Sequence, residues 1–221
     1  GLGDVYKRQP IEPGDVCWED INGDNKINGL DREVVGNIFP KVTGGFSSTL
    51  SWKGISLYAR FDYALGHTLY NDLAARTLGQ YQGAFNIITE VKDMWSEDNP
   101  NSDLPAFYYA DQLAKKNITR SNNASASRHN NSSRLYEKAD YLALRELTLS
   151  WDLPKAWTSK AFIQNASVYV TGQNLFYVTG YTGTSPEPVL TNSDNNENLY
   201  GVDQGRYPTP RTVLFGLSVT F

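Results

Sequence analysis

The sequence predicts an all-β fold, in which about five antiparallel strands form the C-terminal part of a large transmembrane β-barrel with long extracellular loops. Two observations lead to this prediction. Five segments of the 221-residue chain alternate between apolar and polar side chains with the period of two that is typical of strands. The connections between these segments are alternately short and long, as in barrels that have short turns at one end and long loops at the other.

The composition agrees with a β protein that has long polar loops. The chain contains 14 Tyr, 18 Gly and 5 Trp, but only one Met and one Cys. Its formal charge of −4 is spread along the sequence, which argues against a nucleic-acid-binding protein. No run of about 18 or more apolar residues is present, so no transmembrane helix is predicted.

The first two predicted strands form a hairpin. Gly45–Trp52 places Phe46 and Trp52 on one face, and Ile55–Tyr63 alternates more regularly. Only Lys53-Gly54 lies between the two segments, which predicts a tight two-residue turn.

The third predicted strand, Ala139–Asp152, changes phase in its middle. Its leucines have one parity before Arg145-Glu146 and the other parity after it. A β-bulge produces such a change of phase, because one extra residue is inserted on one strand. Pro154 then ends the strand, since proline cannot donate a ladder hydrogen bond.

The fourth and fifth predicted strands are Ala166–Val178 and Arg211–Phe221. In the fifth, apolar and polar residues alternate and only Leu214 is out of place. If the C-terminus is periplasmic, this topology places two short connections, Lys53-Gly54 and Pro154–Gln164, in the periplasm, and residues 10–42, 64–138 and 180–209 outside. A compact soluble domain rarely contains a connection of about seventy residues.

The charged residues on the predicted strands are not expected to be catalytic. Arg60 and Asp62 lie on the second strand, and Arg145 and Glu146 on the third. In a barrel these side chains face the lumen and pair, whereas in a sandwich they face water.

No catalytic or cofactor-binding residue is predicted, and the chain is not expected to be an enzyme. His67 and His129 are expected to be solvated loop residues, since neither has a Ser or Cys partner in a recognisable setting. Cys17 has no second cysteine with which to pair. The substrate-binding residues are not indicated by the sequence.

One predicted external loop contains a helical pattern. Phe85, Ile88, Val91 and Trp95 recur with helical spacing, and the residues around Pro100 break the pattern. A short helix is therefore expected within residues 85–95.

A calcium-type motif lies in the first loop. Oxygen-bearing side chains stand at relative positions 1, 3, 5 and 12, and position 7 offers its backbone carbonyl. Asn25 replaces the usual Gly at position 6, although Asn also adopts the left-handed conformation. The alternative is a cluster of Asn/Asp-Gly turns without an ion. The candidate ligands are Asp20, Asn22, Asp24, Lys26 (by its carbonyl) and Asp31.

Three regions are expected along the chain. Residues 1–9 match nothing that follows and resemble a non-native tail. Residues 10–42 form an extracellular loop that carries the calcium-type motif, and residues 43–221 form the last strands of the barrel. No signal peptide is visible, so either the chain is not exported or its N-terminus is missing. If residues 1–9 are a non-native tail, the chain is expected to be the C-terminal fragment of a longer protein.

The order of these motifs resembles the C-terminal end of SusC/RagA-type TonB-dependent outer-membrane transporters. Val168–Phe176 is the most specific segment, and the Asp20–Asn28 motif, Tyr141–Leu149 and Tyr207–Arg211 occur in the family's order. The resemblance implies a barrel of about 22 strands with a plug domain that is absent here. It also implies a location in the outer membrane of a Gram-negative bacterium.

The resemblance further implies partners and cargo. These are a SusD-like surface lipoprotein, TonB acting through the missing N-terminal part, outer-membrane lipid, and a glycan or peptide oligomer taken up as a nutrient. An alternative from another class is a secreted β-sandwich carbohydrate-binding module with a structural calcium. A hydrolase would need a convergent acid/base pair, and the sequence does not indicate one.

Overall fold

The computed structural model describes residues 13–17, 19–25, 30–75, 77–78, 86–107, 133–189 and 200–221. The described residues divide into two compact units, one within Gly1–Val35 and Tyr70–Tyr136, the other within Gly36–Leu69 and Glu137–Phe221. No helix in these ranges is long and apolar enough to cross a membrane. The predicted tail at residues 1–9 and His129 lie outside the described residues.

The second unit contains a five-stranded antiparallel sheet, which confirms the predicted fold class. Its strands pair in the order β1-β2-β5-β6-β8, and the predicted ends agree to within about three residues. The strands of the chain are β1 (Val42–Trp52), β2 (Ile55–Leu65), β3 (Thr68–Asn71), β4 (Tyr136–Lys138), β5 (Tyr141–Asp152), β6 (Asn165–Thr179), β7 (Val202–Asp203) and β8 (Thr212–Thr220).

A two-residue turn joins β1 to β2, as predicted. Lys53 has φ 48° and Gly54 has φ 85°, so both lie in the left-handed region. Hairpin turns of type I′ need positive φ at both central residues because their twist then matches that of the strands. The turn therefore fixes the register, in which Trp52 pairs with Ile55.

The predicted phase change in the third strand is a β-bulge. Arg60 pairs with Glu146, but the next pair is Phe61 with Leu144. Arg145 is therefore the extra residue, which stands opposite no residue of β2 in the register. The register between β5 and β6 also shifts between Leu144 and Glu146. Because of the extra residue, Arg145 and Glu146 share one face and the leucines on both sides of the bulge share the other.

The sheet has one face without charges and one polar face. The apolar face is largely exposed, with Leu50 67% and Phe215 83% accessible. Along every strand, the hydroxyl, amide and charged side chains of the polar face alternate with the residues of the apolar face. The apolar face consists mainly of Val42, Phe46, Leu50, Trp52, Ile55, Leu57, Ala59, Phe61, Leu65, Leu142, Leu144, Leu147, Leu149, Trp151, Ala166, Val168, Val170, Phe176, Val178, Val213, Phe215, Leu217 and Val219.

The connections differ in length and content. A short α-helix (Lys155–Thr158) and a 3₁₀ turn (Ser159–Ala161) join β5 to β6. The short strands β3, β4 and β7, which form a second sheet in the order β4-β3-β7, lie inside the ranges predicted as loops. They were not predicted because strands of two to four residues are too short to show a period.

The first unit contains two further short helices and part of the predicted loop helix. Asp72–Ala75 is α-helical and Ser133–Leu135 is a 3₁₀ turn. Within the predicted helix at residues 85–95, only Thr89–Asp93 is helical, as a 3₁₀ helix, and Phe85 lies outside the described residues. The helix ends there because Met94 is extended and the Asn99 side chain donates to the Asp93 carbonyl (3.1 Å).

Candidate functional site

An ion pair joins two neighbouring strands on the polar face. Arg145 on β5 donates from Nε to Asp62 Oδ1 (2.5 Å) and from Nη2 to Asp62 Oδ2 (2.9 Å). The bulge places Arg145 on the same face as Asp62, so the local sequence pattern is what makes this pairing possible. Two of the four predicted strand charges, Asp62 and Arg145, therefore pair with each other.

A second carboxylate reaches Arg145 from the connection between β6 and β8. Arg145 Nη2 donates to Glu187 Oε1 (2.5 Å), and Arg145 Nη1 donates to the Tyr177 hydroxyl oxygen (2.8 Å). The Tyr177 hydroxyl in turn donates to Glu187 Oε1 (2.9 Å). Two carboxylates therefore share one guanidinium, and the cluster of Asp62, Arg145, Tyr177 and Glu187 carries one net negative charge.

Residues 181–189, here called the strap, are fixed by contacts that do not involve the Glu187 carboxylate. Arg206 Nη2 donates to the Glu187 carbonyl (2.7 Å), and the Gly201 N–H donates to the Val189 carbonyl (2.9 Å). His67 Nε2 donates to the Pro186 carbonyl (2.8 Å). The backbone of the strap is therefore held at several points within the second unit.

The expectation for His67 was wrong. His67 is 1% exposed, not solvated, and its ring contacts the Pro186 carbonyl of the strap. A position that separates two strands cannot be recognised as buried when one of the strands is too short to be predicted.

The buried carboxylate of Asp203 binds the first residue of the strap and the backbone of the turn after β7. The Tyr181 hydroxyl donates to Asp203 Oδ2 (2.9 Å), and the backbone N–H of Gly205 donates to Asp203 Oδ1 (3.0 Å). Asp203 is 0% and Tyr181 6% exposed. Burial, followed by the charge of Asp203, raises the pKa of Tyr181 well above the ordinary value for tyrosine.

A groove of about 660 Å³ lies on the polar face, beside the cluster of Asp62, Arg145, Tyr177 and Glu187. Its lining includes the hydroxyls of Thr43 and Ser47, the exposed side chain of Arg60, and Pro188 of the strap. Asp62 and Arg145 form one wall. The arrangement offers donors and acceptors to a polar ligand and contains no nucleophile paired with a base.

The calcium-type loop folds back on its first carboxylate. Asp20 Oδ1 accepts from the Gly23 N–H (2.8 Å), and Asp20 Oδ2 accepts from the Asn25 N–H (2.6 Å). Asn25 has φ 61°, the left-handed conformation expected of the residue at position 6. Asp31 Oδ1 accepts from the Ile21 N–H (3.2 Å), which places position 12 beside the loop.

Other polar groups of the motif also bind within the loop. Asn22 Oδ1 accepts from the Asp24 N–H (2.9 Å), and Lys26 lies outside the described residues. Within the described ranges, no group of three or more His, Cys, Asp or Glu side chains is placed to hold a metal. The carboxylates of Asp20 and Asp31 accept hydrogen bonds from backbone N–H groups of the loop, and the Asp24 carboxylate accepts one from the Asn22 side-chain amide (3.3 Å).

Sequence reasoning found part of the polar-face cluster. Asp62 and Arg145 were recognised as strand charges that pair in a barrel. Glu187 was missed because it belongs to a connection, where no period relates it to the strands. Tyr177 lies within the fourth predicted strand, and no motif relates its hydroxyl to Arg145.

Comparison with known proteins gives consistent matches. TonB-dependent receptor P3 of Formosa agariphila is 30% identical over 213 residues, which is 95% of this chain and 19% of that receptor. TonB-dependent receptor P26 of the same organism is 30% identical over 215 residues, covering 97% of this chain and 20% of the receptor. The chain thus spans about a fifth of the length of these curated relatives. No protein-family model matches.

Solved structures show the same relationship. The structure of the RagAB peptide transporter matches with 28% identity and a TM-score of 0.61, covering 83% of this chain and 17% of that chain. The RagAB peptide importer in the "open-open" state matches with 26% identity and a TM-score of 0.62, covering 93% of this chain and 20% of that chain.

Together, the sheet with two unlike faces and these matches define a section of the wall of a transmembrane β-barrel. The chain belongs to the SusC/RagA-type TonB-dependent receptors, the family that its motifs resemble.

Proposed function

We propose that the chain forms part of the barrel wall and extracellular vestibule of an outer-membrane transporter in a Gram-negative bacterium. The transporter takes up oligosaccharides or peptides together with a SusD-like lipoprotein, and TonB supplies the energy. Two similar structures are named as a peptide transporter and a peptide importer, which supports a peptide as one of the two proposed kinds of cargo. The role is transport and not catalysis.

The observation that carries the proposal is the uncharged, exposed face that runs across all five strands. Phe215 is 83% and Leu217 65% exposed, although both lie in the middle of a regular strand. Large exposed apolar surfaces are unusual in soluble monomers and mark a contact with another apolar phase. Hydrocarbon chains of lipid satisfy this face without any further protein layer.

The polar face has the properties of a wall that lines a water-filled passage. Its hydroxyl and charged side chains include the Asp62–Arg145 pair and the groove beside it. In this mechanism, external loops and the lipoprotein capture an oligomer, and movement of a plug domain under the pull of TonB opens the passage. The strands provide the rigid boundary of that passage.

The sandwich alternative explains the exposed face less well. A carbohydrate-binding sandwich would cover the apolar residues of one sheet with those of a second sheet. The residues between β2 and β5 are also too many for a compact sandwich, in which connections are usually short.

Spin labels on two adjacent residues test the proposal in outer-membrane vesicles. Phe215 lies on the apolar face and Leu214 on the polar face, opposite Thr171. We expect a nitroxide at position 215 to collide with oxygen, which dissolves in lipid, and one at position 214 to collide with a water-soluble nickel chelate. Equal contact of both labels with the nickel chelate would contradict a barrel wall.

We also propose that the loop at residues 20–31 binds calcium as a structural ion. The left-handed Asn25 and the position of Asp31 beside the loop support this assignment. The candidate ligands remain the side chains of Asp20, Asn22, Asp24 and Asp31 and the carbonyl of Lys26.

A further inference from the structure

The Glu187 carboxylate stands where a carboxylate of a passing ligand would meet Arg145. We propose that Arg145 and the Tyr177 hydroxyl form a binding site for a carboxylate group of the transported oligomer. Glu187 occupies this site until the ligand displaces it. The inference rests on the proposed transport function and adds to it a chemical class of cargo, namely oligomers that carry a free carboxylate.

The two carboxylates bound to Arg145 are held unequally. Asp62 accepts from two guanidinium nitrogens, Nε and Nη2, while Glu187 accepts from Nη2 alone. Paired donation in a fixed fork is the strong mode of carboxylate recognition by arginine. Asp62 is therefore the permanent partner of Arg145, and Glu187 is the partner that a better-aligned carboxylate can replace.

The charges make the exchange selective. The cluster already carries two carboxylates for one guanidinium, so replacing the Glu187 carboxylate by that of a ligand leaves its charge unchanged. A neutral oligomer that displaced Glu187 would offer only uncharged acceptors, and its hydrogen bonds with the guanidinium would lack the attraction between opposite charges that a carboxylate adds. The site thus favours an acid over its amide or ester.

Only a side chain has to move for the exchange. The strap backbone is held by Arg206, His67 and Gly201, and none of these contacts uses the Glu187 carboxylate. The Glu187 side chain is 29% exposed, so it can turn into water without unfolding the strap.

The groove provides the space for the rest of the ligand. Pro188, next to Glu187, lines it together with Arg145 and Asp62, so the exchange site lies at its edge. Its volume of about 660 Å³ lies within the range of small-ligand sites, roughly 300–1,000 Å³. Thr43 and Ser47 add hydroxyl groups on its other side.

Two pairs of probes test the inference in the receptor that carries this segment, embedded in lipid. One pair is a short peptide with a free C-terminal carboxylate and the same peptide as its amide. The other pair is an oligogalacturonate and its methyl ester. The pairs distinguish a peptide source of the carboxylate from a sugar-acid source, since each changes only the carboxylate.

The variant is Glu187→Gln, which keeps the shape of the side chain and removes the competing charge. We expect it to bind the acid of at least one pair about tenfold more tightly than the wild type does, and the neutral partner unchanged. The control is Glu137→Gln, because the Glu137 carboxylate also contacts the strap, through the backbone N–H and the hydroxyl of Thr182. The control should change neither affinity.

Three results would overturn the inference. They are equal changes for acid and neutral probes, no change for either, or no binding of any of the four probes. The spin-label test of positions 214 and 215 is independent of ligand, so a failure of this inference can be told from a failure of the proposed barrel wall.

Discussion

Tyr181 and Asp203 form a buried hydrogen bond that connects the beginning of the strap to β7. The phenol donates to Asp203 Oδ2 at 2.9 Å, and the same carboxylate also accepts from Thr184 and from the Gly205 N–H. Tyr181 belongs to a small apolar cluster with Leu69, Ala139 and Val189. The bond therefore holds a connection in a fixed fold and not as a free external loop.

The same bond predicts behaviour at alkaline pH. Burial, with the charge of Asp203, raises the pKa of Tyr181 above its value of about 10 in an unfolded chain. Its contribution to stability is thus fully present below pH 10 and is lost as the pH rises toward the folded pKa. Above pH 10, the free energy of unfolding of the strap should fall by up to about 1.4 kcal/mol per pH unit.

Phenolate absorbance measures this effect. The difference titration between the wild type and Tyr181→Phe should show ionisation near pH 10 in denaturant and at a clearly higher pH in the folded receptor. If both titrations coincide near pH 10, the phenol is not buried against Asp203.

The β1–β2 turn predicts a second stability effect. Gly54 has φ 85°, and a Cβ there would lie 3.2 Å from the Asp152 carbonyl oxygen. We expect Gly54→Ala to destabilise the barrel by about 1 kcal/mol or more, because alanine disfavours positive φ. Lys53→Asn, at φ 48°, should be neutral or slightly stabilising, since Asn suits the first turn position. Denaturant midpoints in lipid vesicles compare the two, and equal midpoints would contradict the turn geometry.

The sheet is well predicted from the sequence because each long strand alternates between apolar and polar residues along its own length. Alternation defines the two faces, and even the bulge is visible, since the leucines around Arg145 change parity where the register shifts. The turn at Lys53-Gly54 is visible because only two residues separate the strands and Gly54 readily adopts the positive φ that the turn requires.

The strap and its partners could not be predicted in the same way. Glu187 meets Arg145 across 42 positions of the chain, and Asp203 meets Tyr181 across 22. Neither contact produces a period or a motif, because each depends on how a connection folds onto strands. The expectation for His67 was wrong for the same reason, since its ring contacts Pro186 across 119 positions of the chain.

The calcium proposal predicts a metal-dependent heat signal. Calorimetric titration of the receptor with calcium should show saturable binding, and Asp20→Asn should weaken it by at least about tenfold, because cation affinity follows the number of charged ligands. Glu19→Gln removes a neighbouring charge outside the motif and should have little effect. Absence of calcium binding by the wild type would support the alternative, a turn cluster held by the bonds from Gly23 and Asn25 to Asp20.

Adjacent residues on β8 give the strictest stability test of the two faces. Phe215 pairs with Val170 on the apolar face, and Leu214 pairs with Thr171 on the polar face, so the two side chains lie at nearly the same depth. A lysine facing lipid near the middle of the bilayer costs about 2–4 kcal/mol, whereas a lysine facing the interior of a barrel remains hydrated. We therefore expect Phe215→Lys to lower the unfolding free energy in vesicles by that amount, and Leu214→Lys to lower it by less than about 1 kcal/mol. A soluble sandwich with this apolar face in its core would also penalise Phe215→Lys, but its stability would not depend on lipid. Similar losses for both variants would show that the two faces of the strand meet the same environment, which is incompatible with a barrel wall.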